Sequence, residues 1–148
     1  MSYMLSLIMN VVIDTSVWIS ALISKDGASR EIIRLALLEK ISPQLSTSLF
    51  LEYEAVMKRD SIKKLSPLNS NEMQELFYAF LSVCKFREIF YLWRPNLQDK
   101  NDDFLVELAV ASNSEVIITN NVKDLKNSEL KFDFKVLTPR EFLKEIEQ

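Results

Sequence analysis

The sequence predicts an α/β protein of three layers, in which helices cover both faces of a central, mainly parallel sheet of four or five strands. The first observation is a set of short, mostly apolar runs at residues 9–13, 115–119 and 134–137, each followed by polar residues. Such runs are typical of strands that are buried on both faces. The second observation is that segments with helical spacing separate these runs, and strands that alternate with helices form parallel sheets.

Helices are predicted where apolar residues recur with helical spacing and where a capping residue precedes them. Thr138, Pro139 and Glu141 form the strongest helix start in the sequence, because each occupies the position that it favours. The predicted helices cover residues 15–24, residues 30–39 with Ser29 as the cap, residues 47–59, a segment that begins after Asn69 or Ser70, residues 102–112, a short helix near Lys123, and a last helix from Pro139.

The helix after Asn69 has the most regular apolar stripe of the chain, formed by Met73, Leu76, Phe77, Phe80, Leu81 and Cys84. These positions follow one another at intervals of three and four residues, which places them on one face of a helix. Cys84 is therefore predicted to be a buried small hydrophobic residue and not a nucleophile.

Two further extended segments are predicted, at residues 41–45 and 86–93. Pro43 has no backbone N–H to donate, so the first of them is expected to be an edge strand or a turn. The second is expected to end irregularly before a polar loop at residues 94–101.

The composition excludes several kinds of chemistry. The 148 residues suffice for a single domain, which we expect over residues 9–148, with residues 1–8 as an extension or the start of the first strand. One glycine, one cysteine and no histidine exclude a Gly-rich phosphate loop, an internal disulfide, a cysteine-based zinc site and His catalysis. Any hydrolysis must therefore use carboxylates, hydroxyls, Lys or a hard metal ion.

The formal net charge of −3 does not indicate a broad cationic surface for nucleic acid. It does not exclude nucleic acid, because clustered carboxylates lower the net charge while a metal ion that they bind restores positive potential locally. The apolar residues 1–8 lack a basic segment, so neither a signal peptide nor a membrane span is expected, and a cytoplasmic location is the expectation.

Four carboxylates are candidates for a site at the carboxyl edge of the sheet, where ligands collect in open α/β folds. Asp14 follows the first strand directly, and its alternative role is to cap the next helix. Glu52 borders the apolar arc of the third helix, where it either needs a buried partner or reaches solvent. Asp102 and Asp103 begin a helix, where the helix dipole alone also favours Asp.

Three carboxylates within a few ångströms would repel one another unless a cation neutralised them. Ligands that are all oxygen atoms favour Mg²⁺ or Mn²⁺, which bind substrate phosphate while keeping several waters. A metal ion held in this way activates water and stabilises the displacement at a phosphodiester. The hypothesis that follows is hydrolysis of a nucleic-acid backbone, with Ser16 placed to orient Asp14 or a bound water.

Four motifs occur along the chain in a fixed order. They are Val12-Ile13-Asp14-Thr15-Ser16, residues 46–56 with Glu52, Asp99-Lys100-Asn101-Asp102-Asp103 followed by Glu107-Leu108-Ala109, and Val116-Ile117-Ile118-Thr119-Asn120-Asn121. In order and spacing they resemble the motifs of the PIN domain, the nuclease family that includes VapC-type toxins of toxin–antitoxin pairs. The resemblance covers residues 9–142, which is nearly the whole chain.

The resemblance implies a Mg²⁺- or Mn²⁺-dependent endoribonuclease. The catalytic and metal-binding residues that it implies are Asp14, Glu52 and Asp102, with support from Ser16, Asp103, Thr119 and Asn121. Asp103 also competes with Asp102 for the role of third ligand. Many relatives have a fourth acid where this chain has Asn121, and the uncharged amide leaves a weak or inactive enzyme as an alternative.

Substrate and partners follow from the same resemblance. Arg94, Lys100 and Lys123 fall in segments predicted near the acidic edge, where they would contact RNA phosphates. The family usually self-associates, so a homodimer or a larger assembly is expected. A toxin would also be blocked by a small antitoxin protein.

Two other functions are alternatives to the nuclease. One is a PIN-like module that binds RNA or a protein without cleaving it, as Asn121 and the modest basic charge would allow. The other is a phosphoryl acceptor role for Asp14, as in haloacid-dehalogenase-like phosphatases or receiver domains. The phosphatase pattern needs an Asp where this chain has Ser16, which argues against it.

Overall fold

The structure, a computed structural model, describes the backbone of residues 8–89 and 100–147, and their side chains except those of residues 100–103. Its strands are β1 (Met9–Ile13), β2 (Ile41–Leu45), β3 (Lys85–Phe86), β4 (Val116–Ile118) and β5 (Lys135–Leu137). They form a single five-stranded sheet in the order β3-β2-β1-β4-β5, and every neighbouring pair is parallel. The predicted parallel sheet is confirmed.

Helices flank this sheet and complete a three-layer α/β/α fold. They are α1 (Thr15–Ile23), α2 (Ala28–Leu37), α3 (Thr47–Met57), α4 (Asp60–Leu65), α5 (Ser70–Val83), α6 (Lys100–Ala111), α7 (Val122–Leu125) and α8 (Pro139–Ile146), with a 3₁₀ turn at Lys126–Leu130. The capping predictions hold at two helices, because Asn69 with Glu72 and Thr138 with Glu141 both form complete capping boxes. None of the helices in the described residues is long and apolar enough to span a bilayer.

Two predictions about individual elements are wrong. Ser29 does not cap α2, because the helix already begins at Ala28 and Gly27 is its N-cap. Residues 41–45 form an interior strand and not an edge, since β2 lies between β1 and β3. Pro43 is accommodated because β3 pairs only with Gln44 and Leu45, so that strand requires no hydrogen bond from the proline.

The helix predicted at residues 47–59 is confirmed as α3, which ends two residues earlier, at Met57, and the short helix α4 that follows it was not predicted. Of the strand predicted at residues 86–93, the described part extends only over Lys85–Phe86, and residues 90–99 lie outside the description. The predicted helix at residues 102–112 is confirmed as α6, which begins two residues earlier, at Lys100.

An aromatic cluster anchors α1 against α3 and α5. Trp18 is fully buried and stacks on Phe80, with ring centroids 5.3 Å apart. Its ring also contacts Phe77 at 5.6 Å and Tyr53 at 6.0 Å. Because α1 begins at the residue after Asp14, this packing fixes the helix on which one side of the site is built.

Cys84 packs against the same core at the end of α5. Burial raises the pKa of its thiol from the ordinary value of 9.0 to about 12. A thiol with a raised pKa forms little of the thiolate that acts as a nucleophile. The interpretation of Cys84 as a hydrophobic residue and not a nucleophile agrees with the structure, which shows it half-buried and not fully buried.

The direction of α6 determines which edge of the sheet its first turn approaches. The side-chain amide of Asn10 donates to the carbonyl of Ser112 (3.0 Å), so the end of α6 lies beside the start of β1. The helix packs along β1, β2 and β4, and its 12 residues extend about 18 Å. The first turn of α6 is therefore directed towards the carboxyl edge of the sheet.

Candidate active site

Asp14 occupies the carboxyl end of the central strand, and its backbone is held from both sides. Its N–H donates to the carbonyl of Ile118 in β4 (2.9 Å), and its own carbonyl accepts the N–H of Val17 in α1 (3.0 Å). Asp14 is the N-cap residue of α1 through its backbone alone, because its side chain makes no capping hydrogen bond. The half-buried carboxylate is free to serve another purpose.

Two hydroxyl groups fix the carboxylate of Asp14. Ser16 Oγ donates to Asp14 Oδ2 over 2.8 Å, and Thr119 Oγ1 donates to the same oxygen over 2.7 Å. Bonds to an ionised acceptor are stronger than neutral ones, so the orientation of the carboxylate is well defined. Its other oxygen, Oδ1, accepts no hydrogen bond from the described residues.

Two asparagines at the end of β4 direct the protons of these hydroxyls. The backbone N–H of Asn120 donates to Ser16 Oγ (3.1 Å), and that of Asn121 donates to Thr119 Oγ1 (2.9 Å). A hydroxyl has a single proton to donate. Since each hydroxyl accepts a backbone N–H, its own proton points to Asp14.

Asn120 is the residue of this site that sequence reasoning missed. Its side-chain Nδ2 donates to the carbonyl of Ser16 (3.2 Å) and to Ser20 Oγ (3.0 Å). It thereby ties the end of β4 to the first turns of α1. The only sign of this role in the sequence is its position directly after a buried strand.

Glu52 meets the start of α1 from the neighbouring helix α3. Its Oε1 accepts a hydrogen bond of 3.0 Å from the hydroxyl of Thr15, the residue after Asp14. The expectation that Glu52 needs a partner because it is inward-facing is wrong, since the residue is exposed. The tertiary contact with Thr15 is what brings it to the residue that follows Asp14.

Tyr53 is buried and bonds to the end of β1. Its hydroxyl donates to the carbonyl of Ile13, the residue before Asp14. Burial raises the pKa of Tyr53 well above its ordinary value, with smaller contributions from Cys84 and Asp14. The phenol therefore stays protonated and keeps its donor role.

The remaining predicted site residues are placed only in part. Asp102 and Asp103 lie in the first turn of α6, which points towards this edge, but their side chains and that of Lys100 lie outside the described residues. Arg94 falls in the undescribed segment 90–99. Lys123 is exposed on α7, the short helix that follows β4 and Thr119.

The described donors suit a hard divalent cation. Asp14 and Glu52 each contribute a carboxylate with one oxygen that accepts no hydrogen bond from the described residues, and Mg²⁺ and Mn²⁺ prefer such ligands. Among the described side chains, no group of three potential metal ligands is gathered in one place. Two ligands with several retained waters fit Mg²⁺, and the third predicted ligand, Asp102, falls among the undescribed side chains.

Replacing Thr119 with Val tests whether the hydroxyl network stabilises this edge. We expect the free energy of unfolding to fall by about 1–3 kcal/mol, because a charged carboxylate and the N–H of Asn121 each lose a partner. Urea unfolding followed by circular dichroism measures the change. Thr47→Val is the matched control at an exposed position, and equal losses in both variants would show that the network contributes nothing.

The fold and the site define a class of protein: a parallel α/β domain with a carboxylate held by two hydroxyls at the carboxyl edge of its central strand. The family model for the PIN domain matches residues 10–123, which is most of the chain. The chain therefore belongs to the PIN domain family.

Two individual proteins were found to be similar. An uncharacterized protein, MJ1680 of Methanocaldococcus jannaschii, is 34% identical over an alignment that covers 93% of this chain and 92% of that protein. The crystal structure of VapBC2 from Rickettsia felis, bound to a DNA fragment from its promoter, superposes with a TM-score of 0.57. That match covers 86% of this chain and 97% of the other at 16% identity, which supports the fold alone.

Proposed function

We propose that this protein is a divalent-metal-dependent endoribonuclease and the toxin of a toxin–antitoxin pair. The observation that carries the proposal is the carboxylate of Asp14, fixed at the carboxyl edge by Ser16 and Thr119, with Glu52 bonded to the next residue of the chain. PIN domains are in general metal-dependent nucleases, and this geometry offers the ligands that such chemistry requires.

In this proposal Asp14, Glu52 and Asp102 hold Mg²⁺ or Mn²⁺, with Asp103 as the alternative third ligand. A divalent ion supplies Lewis-acid stabilisation of the phosphodiester and a more acidic water at neutral pH. The role of the protein chain is to hold the ligands in position around the ion. Ser16 and Thr119 prevent rotation of the Asp14 carboxylate, and such supporting hydrogen bonds commonly contribute 10- to 100-fold, as an order of magnitude, to metal affinity or activity.

Charged residues around the same edge are assigned to substrate contact. Lys123 is exposed beside the end of β4, and Arg94 and Lys100 flank the start of α6 in the sequence. Cationic side chains at such positions bind RNA phosphates and set the orientation of the strand. Asn121 contributes its backbone N–H to Thr119 and adds no charge to the site.

The assembly and the partner are proposed from the family and from its structural neighbour. VapBC2 is a complex that binds promoter DNA. We assign this chain a small antitoxin partner on that basis, together with self-association and a cytoplasmic location.

The test is RNA cleavage by the purified protein in Mn²⁺ and in EDTA, with Glu52→Gln beside Glu54→Gln. Glu52→Gln keeps the shape of the side chain and removes its charge, so cleavage should fall by about 10- to 100-fold through weaker metal binding. Glu54→Gln removes the same charge from the same helix and should cleave like the parent protein. Cleavage that persists unchanged in EDTA would refute the proposal.

A second candidate function is a PIN-like module that binds RNA without cleaving it. The observation that favours it is Asn121, an exposed and uncharged residue after β4 where many relatives have an acid. RNA binding without any Mn²⁺-dependent cleavage in the same assay would select this function over the nuclease.

A further inference from the structure

A cavity lined mostly by polar residues adjoins the candidate active site. It has a volume of about 250 Å³ and lies between the end of α1 and the starts of α2 and α8. Its lining includes Ser20, Ser24, Ser29, Asn120 and Arg140, and none of the described lining residues is aromatic. Arg140 is the one charged residue among them. The cavity therefore offers hydrogen-bond donors and positive charge, and no described surface on which a base could stack.

The start of α2 presents free backbone donors to this cavity. Its N-cap is Gly27, which has no side chain to accept the N–H groups of the first turn. Ala28 and Ser29, the first two residues of the helix, both line the cavity. Their N–H groups make no hydrogen bond to the described residues, and open N–H groups at a helix start favour an anion.

The hydroxyl of Ser29 is a second and independent observation. Ser29 is only 7% exposed, and it lines the cavity without a side-chain hydrogen bond to any described residue. The hydroxyl is therefore open to the cavity, where only water or an entering ligand can pair with it. An acceptor that enters the cavity would supply the missing partner.

The start of α8 approaches the same cavity from the other side. Thr138, Pro139 and Arg140 all line it. The capping box already bonds the N–H groups of Thr138 and Glu141, so this helix start contributes the side chain of Arg140 and not an open helix end. The side chain of Arg140 is exposed and forms no ion pair with the described part of the chain. A guanidinium group matches the geometry of a phosphate and binds it through two parallel hydrogen bonds.

Asn120 connects this cavity to the acidic site. It lines the cavity, and its side chain and N–H bond to both Ser16 and Ser20. Ser16 and Ser20 lie one helical turn apart on α1, which is about 5–6 Å between their Cβ atoms. The distance is short enough for one nucleotide strand to contact both the acidic site and the cavity.

We propose that this cavity binds a backbone phosphate of the single-stranded RNA, next to the phosphate that is cleaved. The inference rests on the proposed ribonuclease function. It adds to that function a group of residues that position the RNA. Arg140 pairs with the phosphate, the hydroxyl of Ser29 donates to it, and the N–H groups of Ala28 and Ser29 complete the contacts. Arg140 is thus a binding residue outside the metal site.

The first experiment measures the affinity of a fluorescently labelled, short single-stranded RNA in EDTA, so that no cleavage occurs. Arg140→Gln should weaken binding on the order of tenfold, as expected for a lost hydrogen bond to a charged group. The slope of log affinity against log salt should fall by about 0.7, the value for one phosphate contact on a single strand. Arg140→Lys should recover the slope but only part of the affinity.

Lys40→Gln is the matched control, because Lys40 is exposed directly before β2, at the opposite edge of the sheet. It should leave both the affinity and the slope unchanged. Equal losses in Arg140→Gln and Lys40→Gln would show a general charge effect and overturn the proposal. No loss in Arg140→Gln would overturn it as well.

Ser29→Ala separates a binding role from a structural one. Removal of a hydroxyl that bonds to no described residue should leave the unfolding free energy nearly unchanged, while RNA binding becomes weaker. A loss of stability with unchanged binding would show that the hydroxyl serves the fold and would contradict its assignment here.

The second experiment tests the phosphate site independently of ribonuclease activity. Titration of inorganic phosphate should shift the amide NMR signals of Ala28, Ser29 and Arg140 in the parent protein, and these shifts should be lost in Arg140→Gln. If the shifts occur but no RNA is bound, the anion site stands while its assignment to RNA falls. If neither phosphate nor RNA perturbs these residues, the cavity is not a phosphate site, whatever the outcome of the cleavage assay.

Discussion

Replacing Asp14 with Asn should reduce Mn²⁺-dependent RNA cleavage by at least about 100-fold, the scale on which loss of a single electrostatic group acts in an active site. The carboxylate is the most firmly positioned acid of the site, since two hydroxyls donate to one of its oxygens. Asn has the same shape but no charge, so it still accepts these hydrogen bonds while it attracts a divalent cation far less.

The fold should survive the same substitution. Asn can accept the hydroxyl protons through its amide oxygen, so we expect the free energy of unfolding to change by only about 1 kcal/mol. Single-turnover cleavage measures the activity, and a metal titration followed by NMR measures the loss of binding directly. Asp133→Asn is the control, because Asp133 is exposed shortly before β5, at the opposite edge. Parent-level cleavage by Asp14→Asn would exclude Asp14 from the chemistry.

Trp18→Ala should destabilise the protein by about 3–5 kcal/mol, the range for truncation of a buried Trp or Phe. Trp18 is fully buried and contacts Tyr53, Phe77 and Phe80, so its removal leaves a cavity among three aromatic rings that already pack closely. At this chain length the midpoint of thermal unfolding should fall by about 10–15 °C. Far-UV circular dichroism during heating and in urea measures both quantities.

Trp18→Phe serves as the matched control for this prediction. The indole N–H of Trp18 has no hydrogen-bond partner among the described residues, so Phe loses ring volume but no hydrogen bond. We expect a loss of less than about 3 kcal/mol for Phe, because the aromatic contacts remain in part. If Trp18→Ala and Trp18→Phe both reduced the free energy of unfolding by the same small amount, the aromatic cluster would not anchor α1.

The sequence predicted those parts of the fold that neighbouring residues determine. The capping box at Thr138 was predicted because its donors and acceptors lie three residues apart in the chain, whereas Asn69 and Ser70 were left as alternative caps of α5. The apolar runs of β1 and β4 were predicted because burial on both faces requires continuous apolar residues. The interior position of β2 was not predicted, since the strand order depends on the whole chain and Pro43 favours an edge.

The site residues, like the elements of the fold, were predicted only in part. Asp14 and Ser16 were predicted because an acidic residue and a hydroxyl residue come directly after a buried strand in the sequence. Asn120 and Thr15 were not singled out, because Asn and Thr after a strand end are common and their importance lies in their partners. Those partners, Ser16 and Glu52, lie 104 and 37 residues away in the chain.

Composition and local pattern thus determined that this protein is a parallel α/β domain with acids at a strand end and no histidine with which to do chemistry. The tertiary structure alone decided which polar groups meet: Asn120 with Ser16, Thr119 with Asp14, and Glu52 with Thr15. The physical reason is that a hydrogen bond depends on distances of about 3 Å. Contacts of that length between distant residues are fixed by how strands and helices pack, and no short segment of sequence encodes that packing.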